Sequence, residues 1–319
     1  MNDETSSAPE TPRRALKMER NLSYYAVLYL DLMGQHDAVV ELEDLTVLGD
    51  NQPEYYRRFG EAAGKVWGVR GALAYRLNQE MSGARASAGY PLPKVSLQMF
   101  SDTVMVYFPW DRENPNAFIA LYSLLAASAE IMIRALADSI PIRGGLDVHL
   151  ATEFNESKQE NPANMISGGG DIWGPAPKRA FELSEKDHNY MRIRVGDDVL
   201  SFIKKSAEHI GNELQIDPYK ARWFQPCIAH AKKMAGMIAK DPVDNQAIID
   251  YLGNGMGTVL STKVKTLIGN VVTFAESAYN DPQSSSNFDH GVVDKYEKLL
   301  TYIRARQQPN GIVPVLDAR

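Results

Sequence analysis

A single cysteine, Cys227, stands in a chain of 319 residues. That excludes an intrachain disulfide framework and a cysteine-rich zinc site, and it fits a protein of the reducing cytoplasm. Neither sign of charge is in large excess. The 34 Lys and Arg stand against 40 Asp and Glu, a formal net charge of −6, which argues against nucleic acid or an anionic membrane as a partner. The six histidines show neither His-x-x-x-His nor His-Glu-x-x-His spacing, so a zinc hydrolase lacks its ligands. No Gly-x-Ser-x-Gly elbow for a serine nucleophile occurs. Gly60-Glu-Ala-Ala-Gly-Lys65 falls one residue short of a phosphate loop, lacks the following Ser or Thr, and lies within a helical pattern. The longest apolar stretch, Ala117 to Ala137, carries Glu130 and Arg134 and reads as a buried helix rather than a membrane span. Residues 1–20 lack the apolar core of a signal peptide and read as a disordered lead-in.

Two apolar strands each deliver an aspartate: Tyr25-Ala-Val-Leu-Tyr-Leu-Asp31-Leu-Met-Gly34, and Val95-Ser-Leu-Gln98-Met-Phe-Ser-Asp102-Thr-Val-Met-Val-Tyr-Phe108. A carboxylate closing a rigid, partly dry strand needs a cation or hydrogen-bond donors to offset its charge. Two from neighbouring strands suit a pair of Mg²⁺ or Mn²⁺ ions, whose chemistry is phosphoryl transfer. The plainer reading of each Asp is a turn residue bonding its own backbone. Near them lie the glycine turn after Asp31, Arg143 beside two glycines, and the segment from Asp171 to Arg179. Together these suit a nucleoside triphosphate, with the amides of Met33, Gly34 and Gln35 as phosphate donors and basic side chains facing developing charge.

Periodicity orders the elements. Residues 53–80 place Phe59, Ala62, Ala63, Val66, Val69, Leu73 and Leu77 at helical spacing. Strands at 94–100 and 102–108 form a tight hairpin with Ser101-Asp102 at its tip. A helix over about 116–138, a strand over 141–150, a helix from Pro175 to about Lys186 and a strand over 190–195 follow. The order β-α-β-β-α-β predicts an α+β fold with a mixed or antiparallel sheet over residues 21–196. Residues 197–319 read as a mainly helical extension.

These residues resemble the class III nucleotidyl cyclase family, whose catalytic domains have a ferredoxin-like β-α-β-β-α-β core. Tyr29-Leu-Asp31-Leu-Met-Gly34 looks like that family's first metal strand, and Ser101-Asp102 like the hairpin of its second metal aspartate. Ile142-Arg143-Gly-Gly-Leu-Asp-Val-His149 looks like its following strand, and Asp171-Ile-Trp-Gly174 is the closest literal match. The resemblance implies a site shared across a homodimer, with Asp31, Asp102 and the Leu32 carbonyl holding two Mn²⁺ or Mg²⁺ ions. It places Gln98 and Asp171 at the nucleobase, where purine cyclases carry Lys or Glu in place of Gln98. It also departs: where the family has an Asn and, four residues later, an Arg, this chain has Lys178 and Glu182. Lys178, Arg179 and Arg143 are therefore the candidate catalytic cations. In its Phe-Ser-Asp-Thr hairpin, Arg-Gly-Gly strand and atypical helix the chain is most similar to the pyrimidine cyclases of Pycsar antiphage systems. That implies UTP or CTP as substrate, cyclic UMP or cyclic CMP as product, and a downstream effector that responds to the product. Plainer readings stand beside these: a solvent-facing Gln98, a turn-forming Asp171, a strand-end ion pair for Arg143, and a surface helix for Lys178 and Arg179.

Overall fold

The computed structural model describes residues 22–34, 52–85, 92–110, 115–154, 166–168, 171–185, 190–216, 221–280, 290–308, 312 and 315. Gln35, the lead-in over 1–20 and the segment 281–287 lie outside the described residues. The chain begins with β1 (Ser23–Leu32), α1 (Gln52–Arg85), β2 (Val95–Phe100), β3 (Thr103–Pro109), α2 (Pro115–Ala137) and β4 (Ile142–Phe154). In the sheet β1 lies between β3 and β4, β2 lies beyond β3, and every one of these pairings is antiparallel. That is the ferredoxin-like order expected, since two β-α-β crossovers interleave their strands. β5 (Ile166–Gly168) then runs parallel to β2, and β6 (Asp171–Trp173) pairs with the far end of β4. α3 (Pro175–Glu185) leads to β7 (Ile193–Val195), parallel to β4. The fold is therefore α+β with a mixed sheet.

Strand alternation builds two faces. Ala26, Leu28, Leu30 and Leu32 of β1, with Val104, Val106 and Phe108 of β3, enter the large core under α1 and α2. Tyr25, Val27, Met105, Tyr107 and Ala151 face the other way, toward Ala176 and Ala180 of α3. Asp31, Gln98 and Arg143 belong to this second face by the same two-residue period. Helix α2 is the apolar stretch read as buried, and it is: of length and composition to cross a membrane, it is wholly enclosed in the fold. Its Glu130 sits in the core, bridged to Arg134 at 2.8 Å and to Arg76 of α1 at 3.1 Å.

Three expectations are corrected. Phe59 is 51% exposed, because about the first four turns of α1 carry the surface ladder Glu54–Arg57–Glu61 and the helix meets the core only from Val66 onward. β4 runs on to Phe154, where β6 offers it a partner. Beyond β7 the chain is mainly helical: α4 (Asp197–Ile216), α5 (Ala221–Met237), α6 (Thr262–Lys265), α7 (Ile268–Asn280) and α8 (His290–Gln307). Between α5 and α6, however, β8 (Ile238–Lys240) and β9 (Ala247–Ile249) extend the sheet through β7.

Candidate active site

The site forms where β1 ends. Register sets Asp31 opposite Thr103 on one side and Arg143 on the other. Asp102 occupies the hairpin tip one residue before Thr103, and its carbonyl accepts the Leu32 amide at 3.1 Å. Ser101 takes a φ of 52° there, the left-handed turn that lets two strands reverse with almost no loop. Both aspartates thus stand at the same end of the sheet. Leu32 has an aliphatic side chain that is buried, and only its backbone carbonyl has the chemistry of a metal ligand. The expectation of the Met33 amide as a phosphate donor is corrected, because that N–H is committed to the Pro141 carbonyl at 2.9 Å. Gly34 turns with a φ of +79°, a conformation glycine adopts at little cost.

Arg143 forms the strand-end ion pair of the plainer reading, and its partner is Asp31. Its Nε donates to Asp31 Oδ2 at 2.7 Å, and its Nη2 donates to Glu185 at the end of α3. Arg143 and Asp31 are 13% and 14% exposed, so the pair is partly dry and its charges are weakly screened. Nearby, the Tyr29 hydroxyl lies 3.1 Å from Thr103 Oγ1. Burial raises the Tyr29 pKa first, and the charges of Asp31, Glu185 and Asp102 add to it. Three carboxylates and one guanidinium therefore crowd the end of the sheet. Among the described residues no group of three or more His, Cys, Asp or Glu stands ready to hold a metal by itself, and Arg143 supplies the positive charge that Asp31 requires.

Helix α3 lies directly on β4. A methyl group on Gly145 would stand 2.1 Å from the Ala180 carbonyl and 2.7 Å from Leu183 Cβ. This contact brings Glu185 to Arg143 at one end of the helix and Arg179 to Asp147 at the other. Arg179 donates to Asp198 at 2.5 Å and stands 4.0 Å from Asp147. Lys178 is 74% exposed, 3.6 Å from Glu182. These ion pairs reach neither Asp31 nor Arg143 of the same chain. Asp147 is buried, and desolvation lifts its pKa to about 6 although the Val148 amide bonds it.

The two candidate base-reading residues stand apart in register. Asp171 pairs with Phe154, eleven residues along β4 from Arg143, which is about 35 Å of strand at 3.2–3.4 Å per residue. Gln98 instead stands near the Asp31 end in register, since it pairs with Met105, which pairs with Tyr29, two residues before Asp31. Sequence reasoning missed three residues here. Tyr107 donates to Glu153 Oε1 at 3.2 Å, Ser96 reaches the same oxygen at 3.3 Å, and Gln98 Nε2 lies 3.5 Å from the Tyr107 hydroxyl. The two-residue alternation of β2, β3 and β4 was the signal that could have set them on Gln98's face. Phe100, Trp173 and Phe181 are large and exposed, and Phe181 meets the Tyr29 ring at 5.3 Å.

No protein-family model matches the chain, and no curated protein matches it. Among solved structures it is similar to two of bacterial light-regulated adenylyl cyclases, at 15% and 16% identity and a TM-score of 0.35. Each of these matches covers 59% of this chain and 47% of the cyclase, so the chain spans about half the length of those proteins. It is also similar to the guanylyl cyclase Cya2, at 11% identity and a TM-score of 0.34, covering 57% of this chain and 79% of that one.

Proposed function

We propose that the chain is a nucleotidyl cyclase that closes a pyrimidine nucleoside triphosphate, UTP or CTP, to its 3′,5′-cyclic monophosphate with release of pyrophosphate. The observation that supports this best is that Asp31 and Asp102 stand at the same end of the sheet, with Arg143 holding cationic charge against Asp31. Two carboxylates and the Leu32 carbonyl are hard oxygen donors, the set suited to Mg²⁺ or Mn²⁺. When bound, such ions make the ribose 3′-hydroxyl a better nucleophile and stabilise charge on the phosphates.

The chain's own groups supply the remaining work in this reading. Asp31 and Asp102 hold the cations, and the amides of Gly34 and Gln35 receive terminal phosphate oxygens. Arg143 sits within reach of charge developing at the same end. Gln98 and Asp171 read the base, and Lys178 and Arg179 supply cations from α3. Asp171 lies eleven residues along β4 from Arg143, and the resemblance to dimeric cyclases assigns the site to two copies arranged head to tail, each completing the other's site. The exposed Phe100, Trp173 and Phe181 suit the covered face of such a dimer. The pyrimidine preference and the role as an antiphage signal acting through an effector rest on the likeness of the Phe100-Ser-Asp-Thr103 hairpin and the Arg143-Gly-Gly strand.

Purified protein incubated with Mn²⁺ and each of ATP, GTP, CTP and UTP, with products resolved by mass, tests the reading. A cyclic pyrimidine monophosphate is expected. A cyclic purine product would replace the base assignment, and binding without turnover would make the protein a nucleotide-binding module.

A further inference from the structure

The carboxylate of Glu153 has no part in the proposed reaction, yet it lies behind Gln98 at the end of a hydrogen-bond chain. Tyr107 is fully buried. Burial, and then the charge of Glu153, hold its pKa well above the usual tyrosine range, so the hydroxyl keeps its proton. An ionised carboxylate only accepts, and the Tyr107 proton is given to Glu153 Oε1 at 3.2 Å. Toward Gln98 the hydroxyl oxygen is therefore an acceptor. The Gln98 amide must turn its NH₂ to Tyr107, which it does at 3.5 Å, and its carbonyl takes the other end.

This direction matters because an amide is ambiguous by itself. Turned one way it complements a base edge with a ring N–H beside a carbonyl, as in uracil or guanine. Turned the other way, it complements an edge with an exocyclic amine beside a ring nitrogen, as in cytosine or adenine. A freely flipping glutamine accepts both, and one pinned from behind accepts one.

We propose that Tyr107 and Glu153 are positioning residues for nucleobase choice, fixing the orientation of the Gln98 amide and so the donor and acceptor order presented to the base. The inference rests on the reading of Gln98 as the base-facing residue of a nucleotidyl cyclase. It makes single-base specificity a property of the Tyr107–Glu153 pair rather than of the glutamine alone.

The test compares kcat/KM for UTP and CTP in the unmodified protein, Tyr107→Phe and Glu153→Gln. Phenylalanine removes the acceptor for the amide; glutamine at 153 can donate as well as accept, which releases the direction of the hydroxyl. The ratio of kcat/KM between the two nucleotides is expected to fall about tenfold or more toward unity, the scale of one well-placed bidentate base contact. A variant that is only destabilised loses rate on both nucleotides alike and keeps its ratio. An unchanged ratio in both variants overturns this inference and leaves the cyclase reading standing. If the substrates prove to be purines, the same collapse read between GTP and ATP supports the inference while overturning the pyrimidine assignment. Failure of every nucleotide to cyclise overturns both.

Discussion

Asp147 is a residue whose burial exceeds its compensation. It lies on the site face of β4 against Gly196, where a Cβ would stand 2.3 Å from its Oδ1. Its nearest cation, Arg179, is 4.0 Å away and already pairs with Asp198. With a pKa raised to about 6, Asp147 binds its proton more tightly folded than unfolded. The sign follows: stability falls as pH rises from about 4 through about 6, and the full cost of the buried charge is present above that. Asp147→Asn should therefore raise the melting temperature at pH 8, by at most about 3 kcal/mol in stability at about 1.4 kcal/mol per pKa unit. The gap between variant and parent should close toward pH 4, and thermal melts across this range read it; a constant gap would place the effect elsewhere. The positions of Asp31 and Asp102 at the end of the sheet were legible in the sequence because each adjoins an apolar strand. Glu153 and Tyr107 were not: a tyrosine in an apolar strand and a glutamate before a polar loop look ordinary until strand pairing brings them together.

At the scale of elements, the contact between α3 and β4 governs the site. Gly145 lets the helix backbone sit on the strand, and Gly145→Ala should push α3 outward at a cost of about 1–3 kcal/mol, as overpacking does. Because α3 carries Glu185, turnover should fall together with the urea midpoint. Full activity in a stable Gly145→Ala protein would show that α3 does not position the site. The Arg143 bridge between Asp31 and Glu185 carries a second expectation. Its guanidinium and a divalent cation contend for the same carboxylate, so Arg143→Gln should tighten Mn²⁺ binding in the absence of nucleotide while slowing turnover. Paramagnetic titration of Mn²⁺ measures the first effect, and weaker binding would refute the competition. The glycines at 144 and 145 announced a close approach in the sequence, and the Arg beside them announced an ion pair or a catalytic role. Which carboxylate it meets depends on the β1–β4 register, a non-local pairing that periodicity does not encode. The short β8 and β9 were hidden for a similar reason: three-residue strands carry no period, and only the sheet edge at β7 makes them strands.

At the scale of the whole molecule, the α+β core was readable because its long elements repeat their apolar residues strictly, from β1 to the fully enclosed α2. The assignment of a shared site is carried by the likeness to dimeric cyclases, which periodicity does not encode. That assignment predicts an obligate dimer: turnover per protein should fall on dilution in step with dissociation seen by sedimentation. Equal turnover from monomer and dimer would require all site residues to act within one chain. The central claim is the reaction itself, and Asp102→Asn is the cleaner control because it leaves the Arg143–Asp31 pair in place. The decisive measurement is mass analysis of products from UTP or CTP with Mn²⁺. The account predicts a 3′,5′-cyclic monophosphate and pyrophosphate in equal amounts, with the rate falling about 10²–10³-fold in Asp102→Asn, the usual cost of removing one preorganised electrostatic partner. Undiminished turnover in that variant, or no cyclic product from any nucleotide in an intact dimer, would contradict it.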